Sequence, residues 1–185
     1  MFIQTESTPN PATMKFLPGQ DVMGEGTADF KDADAAKASP LADRLFALGD
    51  IEGVFFGSDF VTVTKADAVE WMHIRPAVLG AIMDHFTSGA PLMADGADTK
   101  SGHAAAKDDD SPLVTQIKDI LDTRVRPAVA QDGGDIVFHG FEEGVVYLNM
   151  IGACAGCPAS TATLKNGVEN LLKHFVPEVQ EVRAV

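Results

Sequence analysis

Cysteine is scarce in this sequence: there are two in 185 residues, and both fall within one short stretch. Two so closely spaced make no disulfide framework and point to a reducing compartment. Positive charge is scarce as well, with 14 Lys and Arg against 27 Asp and Glu and a formal net charge of −13. Such a surface does not suit nucleic acid, whose phosphates need basic partners, and its acidity serves solubility. No apolar run approaches the roughly 20 residues that span a bilayer, so no membrane partner is expected. The start of the chain has neither the basic, then apolar pattern of a secretory signal nor the Arg-rich helix of a transit peptide. There is no Ser–His–Asp candidate and no phosphate-binding loop, and the chain is expected not to be an enzyme.

What is present is 45% apolar residues, enough for a buried core, in a length that admits two small domains. Residues 1–6 alternate as a half-buried strand does, and Ser7-Thr8-Pro9-Asn10-Pro11 turns the chain. Residues 13–17 read as a second strand, and 20–38 as an exposed acidic loop. Ser39-Pro40 is a helix start, with Ser39 as N-cap and Pro40 at the first helical position. Residues 51–56 and 60–65 read as a hairpin around Gly57-Ser58-Asp59. Asp67 is placed to cap a longer helix carrying Val69, Met72, Ile74, Val78, Ile82 and Phe86, with Pro76 removing one donor inside it. These elements make an α+β domain over 1–88.

Residues 89–110 are rich in Ala, Gly and Asp without apolar periodicity and read as a flexible linker. Ser111-Pro112 repeats the helix-start device, and Leu113, Ile117, Leu121 and Val125 mark the buried face of the helix that follows. Strands over 136–141 and 145–151, a helix over 159–174 and a last strand over 179–185 complete a second domain, 111–185. The fold class is thus α+β, two small domains joined by a linker, the second running α-β-β-loop-α-β. Arg75-Pro76-Ala77-Val78 recurs as Arg126-Pro127-Ala128-Val129, but the flanks differ and no duplication is inferred.

The chemistry lies in Gly152-Ala153-Cys154-Ala155-Gly156-Cys157-Pro158. Small residues leave the loop open, and the helix that follows offers free N–H groups that favour anions and lower thiol pKa values. Cys154 and Cys157 supply half of the four ligands that a zinc site or an iron–sulfur cubane requires. Histidines are one source for the rest, but His174 ends the helix that Cys157 begins, roughly 20 Å away at 1.5 Å per residue. His139 sits mid-strand, while His73 and His85 belong to the other domain and fit exposed positions. Two readings stay open. A second copy of the chain could complete a [4Fe–4S] site across a two-fold axis, or the pair could be a thiol–disulfide redox dithiol.

Arg126-Pro127, Asp132-Gly133-Gly134-Asp135, the cysteine loop through Ala159-Ser160 and Thr163-Leu164 together resemble the NifU C-terminal (Nfu) domain. Residues 4–16, Val54-Phe55-Phe56-Gly57 and Val61-Thr62-Val63-Thr64-Lys65 resemble the N-terminal domain of Nfu proteins. The resemblance implies an iron–sulfur cluster scaffold or carrier. In it, Cys154 and Cys157 ligate a labile [4Fe–4S] cluster, with a [2Fe–2S] form as the variant, bridging a homodimer that closes on the cluster. Its partners would be upstream cluster-assembly proteins and apo iron–sulfur clients, and the N-terminal domain would recognise partners. Asp132 to Asp135 would be structural, the glycines at turns and the aspartates as caps. The short N-terminus, next to the long targeting extension of mitochondrial relatives, leads one to expect a bacterial cytoplasmic protein or, alternatively, a processed form in the mitochondrial matrix.

Overall fold

A computed structural model describes residues 1–97 and 111–185, which divide into two compact units. The first unit is an antiparallel sheet of five strands, β1 (Gln4–Ser7), β2 (Thr13–Leu17), β3 (Ala28–Phe30), β4 (Ile51–Phe56) and β5 (Val61–Lys65), in the order β1-β2-β5-β4-β3. Three helices accompany it, α1 (Ala33–Ala36), α2 (Pro40–Phe46) and α3 (Trp71–Ser88). Phe16, Val54, Phe56, Val61 and Val63 from the sheet pack with Leu41, Leu45, Val78 and Ile82 from the helices, all at most 1% exposed.

The expected helix start at Ser39-Pro40 is present: the Ser39 hydroxyl accepts the Ala42 N–H at 3.2 Å, and Pro40 opens α2. The β4–β5 hairpin also forms as expected, closed by Gly57 N donating to Phe60 O at 2.9 Å. Other expectations need correction. All four residues of β1 are exposed, and of the residues before it only Ile3 is buried, so this is an edge strand and not a half-buried one. Within the segment expected as a loop, β3 and α1 form, and Ala28, Phe30 and Ala36 are buried. Three alternating residues are too few to register as a strand period. Asp67 does not cap α3, whose N-cap is Glu70. The helix runs on through Pro76, and Met72 on it is 74% exposed. Part of the segment expected as a linker is also tied down: Leu92 O accepts from the Ser39 hydroxyl, Ala94 N donates to Ala38 O, and Leu92 and Met93 pack on the first core. The rest of that segment, 98–110, lies outside the described residues.

His85, expected to be exposed, is buried at 1% on the inner face of α3, and its Nε2 has no hydrogen-bond partner among the described residues. Burial, and then the Arg44 charge, lowers its pKa below the usual 6.5. The unfolded chain therefore takes up a proton, as pH falls through 6.5, that the folded unit resists, and the stability present above that pH is lost below it. The first unit should melt progressively lower between pH 7 and pH 5. His85→Leu should flatten that dependence, and an unchanged slope would show that other groups cause it.

In the second unit, α4 (Pro112–Ile120), capped by Ser111, continues through a π-helical turn, Leu121–Val125, into α5 (Arg126–Gln131). The wide turn has a local cause. Pro127 has no N–H, and its ring would crowd the carbonyl of Thr123 in a regular helix; the Arg126 N–H reaches back instead to Leu121 O. Strands β6 (Gly134–Glu142) and β7 (Val145–Gly152) form an antiparallel hairpin whose turn residues, Glu143 and Gly144, both have positive φ. This is the two-residue turn that matches strand twist. α6 (Pro158–Phe175) then crosses over to β8 (Glu181–Ala184), parallel to β7, because a parallel neighbour needs a long connection. Ile117, Leu121, Ile136, Leu148, Leu172 and Val182 are fully buried between helices and sheet. Among the described residues, no helix is long and apolar enough to cross a membrane.

Candidate metal centre

The cysteine loop is suspended between the end of β7 and the start of α6. Gly152, at φ +67°, turns the chain out of the strand, and Gly156, at φ +74°, turns it into the helix; a side chain would strain either position. Cys157 is the N-cap residue with extended backbone, and Pro158 occupies the first helical turn, where its missing N–H costs nothing. Ala153 N donates to Gly133 O at 3.1 Å, and the Thr161 hydroxyl donates to Cys154 O at 3.3 Å. The loop is thus pinned to the start of β6 on one side and to the first turn of α6 on the other.

The two thiols, neither of them in a disulfide, differ in surroundings. Cys154 is 5% exposed and part of the core, whereas Cys157 is half-buried. Cys154 lies against the backbone of Gly134: a Cβ there would lie 2.5 Å from the sulfur and 2.8 Å from Ile151 O. Gly134, paired with Gly152 across the hairpin, is therefore glycine because of close approach and not, as expected, because of a turn. Gly133 does hold the turn conformation, at φ +79°.

The expected lowering of thiol pKa by the helix end is overturned at Cys154. Burial, and then the charges of Asp132, Asp135 and Cys157, push this thiol up to about 12. Desolvation and neighbouring carboxylates both oppose the thiolate and outweigh the helix N-terminus. In the empty chain Cys154 holds its proton, and a soft metal must displace it on binding.

Asp135, expected as a cap, is instead the buried end of an ion pair. Its Oδ1 accepts from Arg126 Nε at 2.8 Å and from Ile136 N at 2.8 Å, and its Oδ2 accepts from Arg126 Nη2 at 2.7 Å. Arg126 Nη1 also reaches Asp122 at 3.0 Å. The sequence reading missed this pair, along with the Thr161 contact. Its one signal was Arg126 in the motif, nine residues before a buried acid.

His139 is exposed at a bulge in β6, and His174 lies in the last turn of α6, so neither joins the cysteines. Among the described residues, no group of three or more His, Cys, Asp or Glu side chains could hold a metal. Two soft sulfur donors opening from a small-residue loop fit thiophilic iron and leave the coordination sphere half filled.

Residues 3–89 match the family described as scaffold protein Nfu/NifU N terminal, and residues 117–183 match the NifU-like domain. A Drosophila erecta protein, "NFU1 iron-sulfur cluster scaffold homolog, mitochondrial", is 52% identical over 100% of this chain, which spans 65% of that protein's length. "NifU-like protein 4, mitochondrial" of Arabidopsis thaliana is 50% identical over 98% of this chain and 65% of its own. For "NifU-like protein 5, mitochondrial" of the same plant the figures are 50%, 98% and 67%. Among solved structures, a NifU-like protein from Saccharomyces cerevisiae aligns at TM-score 0.46 and 25% identity, covering 51% of this chain and 85% of its own. That likeness is too loose to add to the sequence matches.

Proposed function

This chain belongs to the Nfu/NifU family, and on that footing we propose that it is a non-enzymatic iron–sulfur scaffold and carrier. Cys154 and Cys157 of two copies together hold one [4Fe–4S] cluster as cargo and pass it to apo iron–sulfur proteins. The observation that carries this reading is the half-complete donor set: two thiols on one loop, with no third metal-binding side chain grouped with them among the described residues. A two-fold axis through the loop supplies the missing pair. A [2Fe–2S] cluster can use the same four thiolates and is the variant form.

Three features support transfer over storage. The loop is built of small residues, one of its two thiols is half-buried, and two of its turns rest on glycine. The first unit, which contains no cysteine, would serve in partner recognition. The relatives' names favour the mitochondrial alternative over a bacterial cytoplasm. The redox-dithiol reading stays the alternative: exchange needs one ready thiolate, and with the Cys154 thiol pushed up by burial the half-buried Cys157 would have to supply it.

The test is anaerobic reconstitution with iron and sulfide, read by iron and sulfide analysis and by sizing on the same sample. About four irons and four sulfides per two chains, with a shift to dimer, is the expected result. Transfer to an apo-enzyme should follow, and both properties should be lost in Cys154→Ser. A colourless monomer that only cycles a disulfide would sink the carrier reading and promote the redox one.

A further inference from the structure

We propose that the Arg126–Asp135 pair is a positioning device for the cysteine loop: it fixes the strand floor on which Cys154 rests and thereby sets how long the chain retains its cluster. The second half of this inference rests on the carrier reading; the first half concerns the empty protein.

Cys154 is seated on two residues outside its own loop. Gly133 O accepts the Ala153 N–H, and Gly134 lies directly against the sulfur. Where those two residues sit is decided by the residue that follows them. Asp135 is 3% exposed, and both of its oxygens are engaged by the Arg126 fork, one of them also by the Ile136 N–H. Arg126 opens α5 immediately after the π-helical turn, and Asp122 in that turn braces its outer nitrogen. One planar fork thus ties the helical layer to the start of β6 within one residue of the sulfur's seat.

The character of the pair points to position over bulk stability. A bidentate guanidinium–carboxylate contact is strongly directional. Yet a buried ion pair adds little net stability against an apolar pair of similar volume. What the apolar pair lacks is direction, and the groups standing behind metal ligands are those whose orientation governs retention.

The test uses the full-length Arg126→Met/Asp135→Leu double variant, which avoids leaving a single buried charge, beside Arg126→Lys, which keeps the charge without the fork. Thermal melting, the rate of Cys154 alkylation in the empty protein by mass spectrometry, and loss of the reconstituted cluster to a chelator are compared with the unaltered chain. We expect the double variant to keep its cooperative melt. Its Cys154 should be alkylated about tenfold faster. Because loss of the Asp135 charge by itself eases thiol ionisation, the local opening of the seat is read from faster alkylation in Arg126→Lys, which keeps both charges. Its cluster should be lost about 10–100-fold faster, with Arg126→Lys lying between. Alkylation and cluster loss at unaltered rates in a folded double variant overturn the proposal. Should the double variant not fold, unaltered alkylation in Arg126→Lys overturns it equally. If the unaltered chain itself takes up no cluster, the carrier reading falls, while the alkylation comparison still decides whether the pair positions Cys154.

Discussion

Gly134→Ala is expected to abolish cluster loading and to cost the second unit stability at the upper end of the ~1–3 kcal/mol typical of overpacking. The added methyl would meet the Cys154 sulfur at 2.5 Å, Ile151 O at 2.8 Å and Cys154 N at 3.1 Å. Two of those three atoms are backbone and cannot rotate away. The third is the Cys154 sulfur, so any relief comes from moving it out of place. Gly156→Ala is the internal control. It sits in the same motif at φ +74° with nothing within 4 Å of a new Cβ, so it should cost only the ~1–2 kcal/mol of a left-handed backbone and should still load iron. Iron per chain and the denaturant midpoint of each variant check both statements. Full loading in Gly134→Ala would mean that Cys154 is not held where the structure places it.

Gly57→Ala should be about as damaging to the first unit, by about 3 kcal/mol, without touching the metal site. A Cβ at Gly57 would overlap the ring carbons of Phe60. That ring is 2% exposed and has no free side to move into: Lys15 Nζ lies 4.7 Å from its centroid, and the Phe55 ring packs at 6.0 Å. Because the first unit contributes no cysteine, iron per chain should stay at the unaltered value while the melting transition of that unit falls. A parallel loss of iron would mean that the two units depend on each other for folding.

How much of this was legible in the sequence depended on whether the cause was local. The helix starts at Ser39 and Ser111, the β4–β5 hairpin and the existence of the last strand were readable, since caps, turns and apolar periods act over a few residues. Cys154 and Cys157 stood out because nothing else in the chain offers a thiolate. What escaped reading was set by distant partners. His85 occupies a helix position whose neighbours mark it as either face, and only the packed unit shows it buried. Gly134 and Gly133 look alike in sequence, yet one serves a sulfur and the other a turn. Asp135 reads as a turn acid until Arg126, nine residues away along the chain, arrives beside it. The pKa of Cys154 was misjudged for the same reason: the helix end is visible in sequence, whereas the desolvation that outweighs it is not.

The burial of Cys154 has a consequence for its chemistry in the metal-free chain. Peroxides attack thiolates, and the path from sulfenic to sulfonic acid ends irreversibly. With its thiol pushed up to about 12 by burial and the neighbouring Asp132, Asp135 and Cys157, Cys154 is held as the neutral thiol at pH 7. Cys154 is therefore shielded from oxidative attack in the metal-free chain. The burial that seats it against the start of β6 is also what keeps it in its least reactive form.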